Sequence, residues 1–276
     1  MRKESGVMGK LCLLLFLLAL VAGCSSKPAC TEGGGEPDMV FIPAGEFTMG
    51  NDEGDDDEKP ERMVFLDAFC IDKYEVTNVQ YKECADAGAC NPPARTSSPS
   101  RLSYYDNPEF DNYPVIWVTW DDAQAYCKWR GKRLPTEAEW EKAARGTDER
   151  LWPWGNSEPD GSKINLCDVN CTYDWKESHI DDGYPDTAPV GSFEAGKSPY
   201  GVYNMGGNVR EWTADWYAPD YYVDAPDRNP TGPSSGIGRV LRGGSWRSNI
   251  PVARSTYRLW YDSTVKDEYI GFRCTR

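Results

Sequence analysis

The chain has 276 residues, of which 30 are basic and 44 acidic, so its formal net charge at pH 7 is −14. This acidic balance disfavours sequence-independent binding to nucleic acid, which requires basic patches, and no nucleic-acid partner is expected. The 11 tryptophans and 16 tyrosines, within a hydrophobic content of 39%, argue against disorder. They favour a loop-rich globular fold stabilised by large side chains.

Residues 1–23 resemble a bacterial lipoprotein signal peptide. Basic residues precede an apolar run over residues 11–21, which is about half the length that spans a bilayer. The run leads into Leu-Val-Ala-Gly-Cys24, which is similar to a lipobox. The resemblance implies cleavage before Cys24 and acyl chains, such as palmitate, that anchor this cysteine to a membrane. Ser25 resembles the sorting pattern for the outer membrane, and an ordinary cleaved signal without lipid is the alternative.

The remaining chain divides into a tether and a domain. Residues 24–38 are rich in Gly, Pro and Ser, a composition typical of a flexible tether. Residues 39–276 show no internal repeat, so one domain is the economical interpretation.

Eight cysteines remain once the signal and lipid cysteines are set aside. An even number in an exported protein is typical of disulfides, although many connectivities are open. The candidate pairs are Cys84–Cys90, Cys167–Cys171 and Cys127–Cys274. The first two would close local loops, and the third would tie the middle of the domain to its C-terminal end. A four-cysteine zinc site is the alternative, but no paired C-x2-C spacing occurs.

The first part of the domain reads as short strands. Residues 39–50 predict two strands on either side of the Pro-Ala-Gly turn at 43–45. An acidic loop follows from Asn51 to Glu61, and because its Asp spacing does not match an EF-hand, a solvated charge run is favoured. Residues 64–72 alternate in polarity and are β-like.

Three helices carry sequence signals for capping boxes at their N-termini. The caps are Thr77, Thr119 and Thr136, each with Gln, Asp or Glu three residues later. The first helix is predicted to end before Gly88. From Gly146 onward no convincing helix is predicted, and that half reads as loops and short strands.

Several segments together resemble the formylglycine-generating-enzyme (sulfatase-modifying factor) family, in the family's order and over nearly all of residues 39–276. They are Ile42-Pro-Ala-Gly-Glu-Phe-Thr-Met-Gly50, Tyr74-Glu-Val-Thr-Asn78, Gly131-Lys-Arg-Leu-Pro-Thr-Glu-Ala-Glu-Trp-Glu141, Pro153-Trp-Gly-Asn156, Gly201–Trp216, Arg239-Val-Leu-Arg-Gly-Gly-Ser-Trp246 and Gly271-Phe-Arg-Cys274. The resemblance implies an α+β fold of the C-type-lectin-like class, disulfide-bonded and low in regular secondary structure. It also matches Cys274 to a structural disulfide position.

Fold does not establish activity, so the metal chemistry of the family has to be checked residue by residue. Its oxidising members resemble copper enzymes with two cysteines just after the Gly-Gly-Ser motif, and two thiolates suit Cu(I). Residues 243–255 contain no cysteine, so copper is not expected, although a displaced site built from other cysteines is the alternative. Iron-dependent relatives need several histidines, and this chain has only His179.

The resemblance also implies two structural Ca²⁺ sites. One would use the side chains of Asn165 and Asp182 with the carbonyls of Leu166 and Tyr184. The other would use the side chains of Asn204 and Glu211 with the carbonyls of Gly207 and Val209. Mixed carboxylate, amide and carbonyl oxygens suit this ion. In the alternative interpretation, Asn204 and Glu211 merely cap loop amides.

Two functions are compared. The favoured one is a non-catalytic, membrane-anchored binding or accessory protein with an unknown protein, peptide or glycan partner. The candidate contact surface is Trp246, Arg247, Tyr257, Arg258, Trp260 and Tyr261, since aromatic and Arg side chains are good contact groups, although Trp246 suits a core equally well. The alternative is a formylglycine-generating oxidoreductase acting on a cysteine of sulfatases or of a related substrate. The missing cysteine pair favours the binding protein.

Overall fold

The structure is a computed structural model that describes Met1 and residues 38–276. The predicted lipidation at Cys24, nearly all of the signal peptide and the tether up to residue 37 lie outside the described residues. Within the described part, no helix has the length and apolar character needed to cross a bilayer.

Within residues 38–276, eight short strands form three small sheets. They are β1 (Met39–Ile42), β2 (Gly45–Met49), β3 (Arg62–Leu66), β4 (Phe69–Asp72), β5 (Arg210–Trp216), β6 (Arg239–Arg242), β7 (Arg258–Tyr261) and β8 (Ile270–Gly271). Strand β1 pairs with β4, β2 pairs with β3, and the largest sheet has the order β7-β6-β5-β8. In that sheet β5 is antiparallel to β6 and parallel to β8.

The two strands predicted around the Pro-Ala-Gly turn are present, but they do not pair with each other. Val40 of β1 lies opposite Ile71 of β4, and Phe47 of β2 lies opposite Val64 of β3. The single β-like segment predicted over residues 64–72 belongs to two strands, which are separated by Asp67 and Ala68. Pairing with distant partners buries the apolar face of these strands against helix side chains, which alternation alone does not predict.

The three predicted helices are confirmed as α1 (Asn78–Asp86), α2 (Trp120–Trp129) and α3 (Glu137–Arg145). Each begins with the expected capping box, in which the Thr side chain and the residue at the third helical position exchange hydrogen bonds with the backbone. A further helix, α4 (Tyr221–Asp224), has a single turn. One turn carries no periodicity, so the sequence did not predict it.

Three disulfides join Cys84 to Cys90, Cys127 to Cys274 and Cys167 to Cys171, the pairs named from the sequence. Cys70 is disulfide-bonded as well. The Cys127–Cys274 bond joins α2 to the C-terminal segment inside the core that also holds Trp212. The domain is thereby cross-linked between its middle and its end.

Helix α3 lies at the centre of the fold, with all nine residues buried. Its charged side chains are paired inside the protein: Arg242 Nη2 lies 2.6 Å from Glu141 Oε2, and Arg258 Nε lies 2.7 Å from Glu137 Oε1. Buried charges require such partners because desolvation penalises an isolated ion. The helix is therefore joined to the largest sheet through these ion pairs, and its apolar side chains pack against the strands β1 to β4.

The acidic loop is only partly the solvated charge run that was predicted. Glu58 is fully buried, and its Oε1 accepts a hydrogen bond from the Asp55 backbone N–H at 3.2 Å. Arg254 forms an ion pair with the same carboxylate. The arginine comes from 196 residues further along the chain, so local charge patterning gave no sign that this glutamate is buried.

Candidate binding pocket and calcium loops

The loop over residues 204–208 is fixed against a second loop at Asn165. Asn204 and Asn208 have positive φ angles of 59° and 68°, a conformation that Asn adopts more readily than most residues. Gly207 is required because a Cβ there would lie 2.3 Å from the Asn165 carbonyl oxygen. The Asn208 N–H donates to that same carbonyl at 3.0 Å. The two predicted calcium loops are therefore in direct contact.

The first predicted calcium set has one oxygen without a partner and one poorly compensated carboxylate. Asn165 is buried, and among the described residues its Oδ1 has no hydrogen-bond partner. Asp182 accepts hydrogen bonds from the backbone N–H groups of Leu166 and Tyr184, at 3.0 and 2.8 Å. Burial, reinforced by the negative charge of Asp168, raises the pKa of Asp182 to about 7. An orphaned oxygen beside excess negative charge fits a bound cation.

The second predicted set is already supplied with a cation by the protein. Arg273 holds both oxygens of Glu211, with Nη2–Oε1 at 2.6 Å and Nε–Oε2 at 2.7 Å. The Asn204 side-chain amide donates to Glu75 Oε2 at 2.8 Å. Burial raises the pKa of Glu75 to about 8, with Arg273 opposing the shift and Glu211 adding to it. Because Glu211 is paired with Arg273, this set fits a calcium ion less well than the Asn165 set.

Neither set is a cluster of charged ligands. Within residues 38–276, no three His, Cys, Asp or Glu side chains come together as a metal site. The predicted calcium sets depend instead on amide and backbone oxygens.

The loop at 204–208 supports the segment that follows β6. The Gly244 N–H donates to the Gly206 carbonyl at 3.1 Å, and a Cβ on Gly244 would lie 2.3 Å from that oxygen. The Trp246 N–H donates to the Asn208 carbonyl at 2.9 Å. The Gly-Gly-Ser-Trp motif is thus positioned by direct backbone contact with the loop at 204–208.

A pocket of about 380 Å³ opens beside this motif. Its walls include Trp175, Arg210, Ser245, Arg247, Ser248 and Tyr269. The residues come from four separate parts of the chain, so proximity along the sequence did not reveal the site. Of the residues that line the pocket, Arg247 and Tyr261 belonged to the predicted contact surface, and Arg210 lies within the segment Gly201–Trp216 that carries the family resemblance.

The predicted contact surface is wrong for two of its residues, which are buried. Trp246 is only 3% exposed, and its indole N–H donates to the Glu268 carbonyl at 3.1 Å. Arg258 is also 3% exposed and is held by Glu137. Both side chains point into the domain because their partners are inside it, which residue type alone does not show.

The other predicted surface residues are more accessible but do not form one site. Trp260 is exposed on β7 and packs on Tyr217, with 5.8 Å between ring centroids. Tyr257 is half-buried against Arg254, away from the pocket lining. Tyr261 and Arg247 contribute to the pocket.

The described cysteines offer no thiolate for copper. All seven cysteines within residues 38–276 are disulfide-bonded. Just after the Gly-Gly-Ser motif the pocket contains the hydroxyl of Ser248. This hydroxyl lies 3.1 Å from the Ser245 hydroxyl and accepts a hydrogen bond from the Ser245 N–H at 3.1 Å. Ser248 therefore stabilises the loop that shapes the pocket.

Known proteins with similar sequences include both active and inactive enzymes. The chain is 34% identical to the formylglycine-generating enzyme of Streptomyces coelicolor, covering 91% of each chain. It is 33% identical to the inactive C-alpha-formylglycine-generating enzyme 2 of Bos taurus, covering 95% of this chain and 94% of the relative. It is 38% identical to the serine/threonine-protein kinase pkn1 of Chlamydia caviae over 87% of this chain, but spans only 38% of that kinase's length.

Solved structures show the same fold. PvdO from Pseudomonas aeruginosa matches with a TM-score of 0.71 and 28% identity, over 86% of this chain and 93% of that chain. The variable protein 1 of Treponema denticola matches with a TM-score of 0.69 and 26% identity, over 86% and 94%. The predicted α+β fold of the formylglycine-generating-enzyme type is confirmed. A model of the sulfatase-modifying factor enzyme 1-like domain matches residues 26–276, and the chain belongs to this family.

Proposed function

We propose that this protein is a binding or accessory lipoprotein of the bacterial cell envelope that keeps the family's fold without its copper chemistry. Acyl chains on Cys24 would anchor it in the outer membrane, and the pocket beside the Gly-Gly-Ser motif would bind its ligand. The observation that carries the proposal is that every cysteine within residues 38–276 is disulfide-bonded. The alternative, a formylglycine-generating oxidoreductase, requires a thiolate pair in this region.

The chemistry of the pocket supports binding rather than oxidation. Cu(I) is a soft ion that prefers thiolate and thioether ligands. The hydroxyls of Ser245 and Ser248 are hard, neutral oxygen groups and do not replace thiolates. The inactive Bos taurus relative, which aligns with this chain over nearly its full length, indicates that the family includes members without the enzymatic activity.

We expect no copper-dependent turnover. The purified full-length protein, supplied with Cu(I), should leave a sulfatase-type Cys-x-Pro-x-Arg peptide unoxidised, because no thiolate pair holds the metal near the pocket. Mass spectrometry of the peptide measures aldehyde formation, and the Streptomyces coelicolor enzyme serves as the positive control. Copper-dependent conversion of the peptide would instead establish the oxidoreductase.

We further propose a structural Ca²⁺ ion at the Asn165 set, held by the side chains of Asn165 and Asp182 and by the Leu166 and Tyr184 carbonyls. When bound, the ion would supply positive charge to a region that also contains Asp168 and Asp181. Asn165 donates its side-chain amide to Asn208 Oδ1 at 3.2 Å. Ordering this loop therefore also orders the loop that positions the pocket.

Calcium should raise the stability of the protein, and Asp182→Asn should reduce that response. With free Ca²⁺ at 100 times its dissociation constant, linkage predicts about 2.7 kcal/mol of stabilisation. Thermal unfolding with calcium or a chelator, together with metal analysis, measures the effect. Asp67→Asn, at an exposed carboxylate, is the matched control. One Ca²⁺ ion per chain is expected. Two ions would indicate that the set with Asn204 and Glu211 also binds calcium. An absence of both binding and stabilisation would contradict the site.

A further inference from the structure

We propose that the pocket beside the Gly-Gly-Ser motif binds an acidic sugar, namely a glycan unit that carries a carboxylate. The inference rests on the proposed binding function and identifies the class of ligand. It depends on three features of the pocket: two arginines with unused donors, a lining rich in hydroxyl groups, and a fixed aromatic platform at the rim.

The two arginines can receive a carboxylate. The guanidinium groups of Arg210 and Arg247 lie beside the same ring, 5.7 and 5.2 Å from the centroid of Tyr269. Arg210 Nε is buried and has no hydrogen-bond partner within the described residues, and Nη2 reaches Ser248 Oγ only at 3.4 Å. Arg247 Nη1 lies 3.9 Å from Glu268 Oε1, at the outer limit of an ion pair. Guanidinium groups whose donors lack strong partners can bind a carboxylate, because the geometry of the two groups matches.

The rest of the lining suits a ligand with many hydroxyl groups. Ser245, Ser248, Tyr261 and Tyr269 contribute hydroxyls, and the two tyrosine oxygens lie 3.2 Å apart. Burial raises the pKa of Tyr269, so its phenol stays protonated. Each hydroxyl can both donate and accept a hydrogen bond, as the hydroxyls of a sugar also do. Among the described residues that line the pocket, Val252 is the only aliphatic one.

The rim provides a flat apolar surface. Trp175 is 48% exposed and stacks on Tyr173, with ring centroids 4.6 Å apart and an angle of 10° between the planes. Its indole N–H donates to the Arg247 carbonyl at 3.0 Å, and the Arg247 guanidinium lies 4.5 Å from the Tyr173 centroid. An exposed indole that is held by stacking on one face and by a hydrogen bond at its N–H edge can pack against the C–H face of a pyranose ring at little cost in side-chain entropy.

A peptide fits these features less well. Peptides are usually recognised through an open sheet edge, a hydrophobic groove or a proline-binding aromatic surface. This pocket has one aliphatic lining residue, and its volume of about 380 Å³ lies near the lower end for ligand pockets. That volume suits a small ligand or the end of a glycan chain.

Calorimetric titration of the full-length protein tests the inference. The probes are tetrasaccharides of galacturonate, glucuronate and mannuronate, each compared with its methyl ester, which removes only the charge. We expect at least one acid to bind, and its ester to bind about tenfold or more weakly, since hydrogen bonds to a charged group are the stronger kind. Arg247→Gln should weaken binding of the acid to a similar extent. Trp175→Ala should weaken binding of the acid and of the ester equally.

Arg228→Gln removes an exposed arginine outside the pocket lining and should leave binding unchanged. Equal binding of acid and ester would overturn the carboxylate assignment. Binding of none of the three acids by a folded protein would overturn the sugar assignment, as would binding of an acidic peptide alone, such as acetyl-Glu-Glu-Gly amide. In all three cases the proposed binding function would survive, whereas copper-dependent turnover would overturn that function itself.

Discussion

Replacing Cys127 and Cys274 together with alanine is expected to lower the free energy of unfolding by about 5 kcal/mol, on the chain-entropy account of disulfides. The two cysteines are 147 residues apart, so their bond removes a large share of the unfolded chain's freedom. The Cys84–Cys90 bond spans only 6 residues. The same account gives about 2 kcal/mol for its removal.

The two double variants are matched because the four cysteines are all buried and all become alanine. Denaturant unfolding of each variant beside the unsubstituted protein gives both free energies. The difference between the variants reports the effect of loop length, since the loss of packed sulfur atoms is similar in both. Equal losses would show that local strain or residual structure in the unfolded chain governs these bonds.

Arg273→Met should be the most damaging single substitution among the buried ion pairs near the predicted calcium loops. Arg273 holds both oxygens of Glu211 and donates to the Tyr203 carbonyl at 2.8 Å, and its charge also opposes the raised pKa of Glu75. Methionine keeps the apolar volume but leaves two buried carboxylates without this cation. Breaking a buried pair in this way costs about 3–5 kcal/mol.

The exposed pair of Arg228 and Asp67 provides the control. Arg228→Met changes the net charge equally but should cost about 0–1 kcal/mol, as exposed ion pairs do. Adding Glu211→Gln to Arg273→Met should recover part of the loss, since it removes one of the uncompensated charges. Chemical denaturation measures all three variants. A loss below 1 kcal/mol for Arg273→Met would show that another group, or a bound ion, compensates these carboxylates.

The contacts around the loop at 204–208 connect the two proposals. Asn208 receives a side-chain hydrogen bond from Asn165, and its carbonyl accepts the N–H of Trp246, the residue before Arg247 in the pocket. A cation that orders the Asn165 loop would therefore hold the pocket in its binding conformation.

Features that depend on neighbours in sequence were predicted correctly. The capping boxes at Thr77, Thr119 and Thr136 lie within one helical turn, so the cap and its partner are read from four residues. The family and its fold were likewise identified from short segments in a fixed order. Close spacing also pointed to the local disulfide loops. In each case the determining interaction, or the recognisable pattern, lies within a short stretch of chain.

Apart from the Cys127–Cys274 disulfide, which was named from the sequence, the features that depend on distant partners were decided only by the tertiary structure. Trp246 and Arg258 are residue types that are common in contact surfaces, but both are buried. Trp246 donates a hydrogen bond to the Glu268 carbonyl, and Arg258 forms an ion pair with Glu137. Arg273 gives Glu211 a cation from 62 residues away, which a ligand pattern does not anticipate. The pocket likewise combines Trp175 with Tyr269 across the fold. The burial and the partners of a side chain depend on how the entire domain packs. Residue types alone could therefore indicate candidate groups but not the partners of those groups.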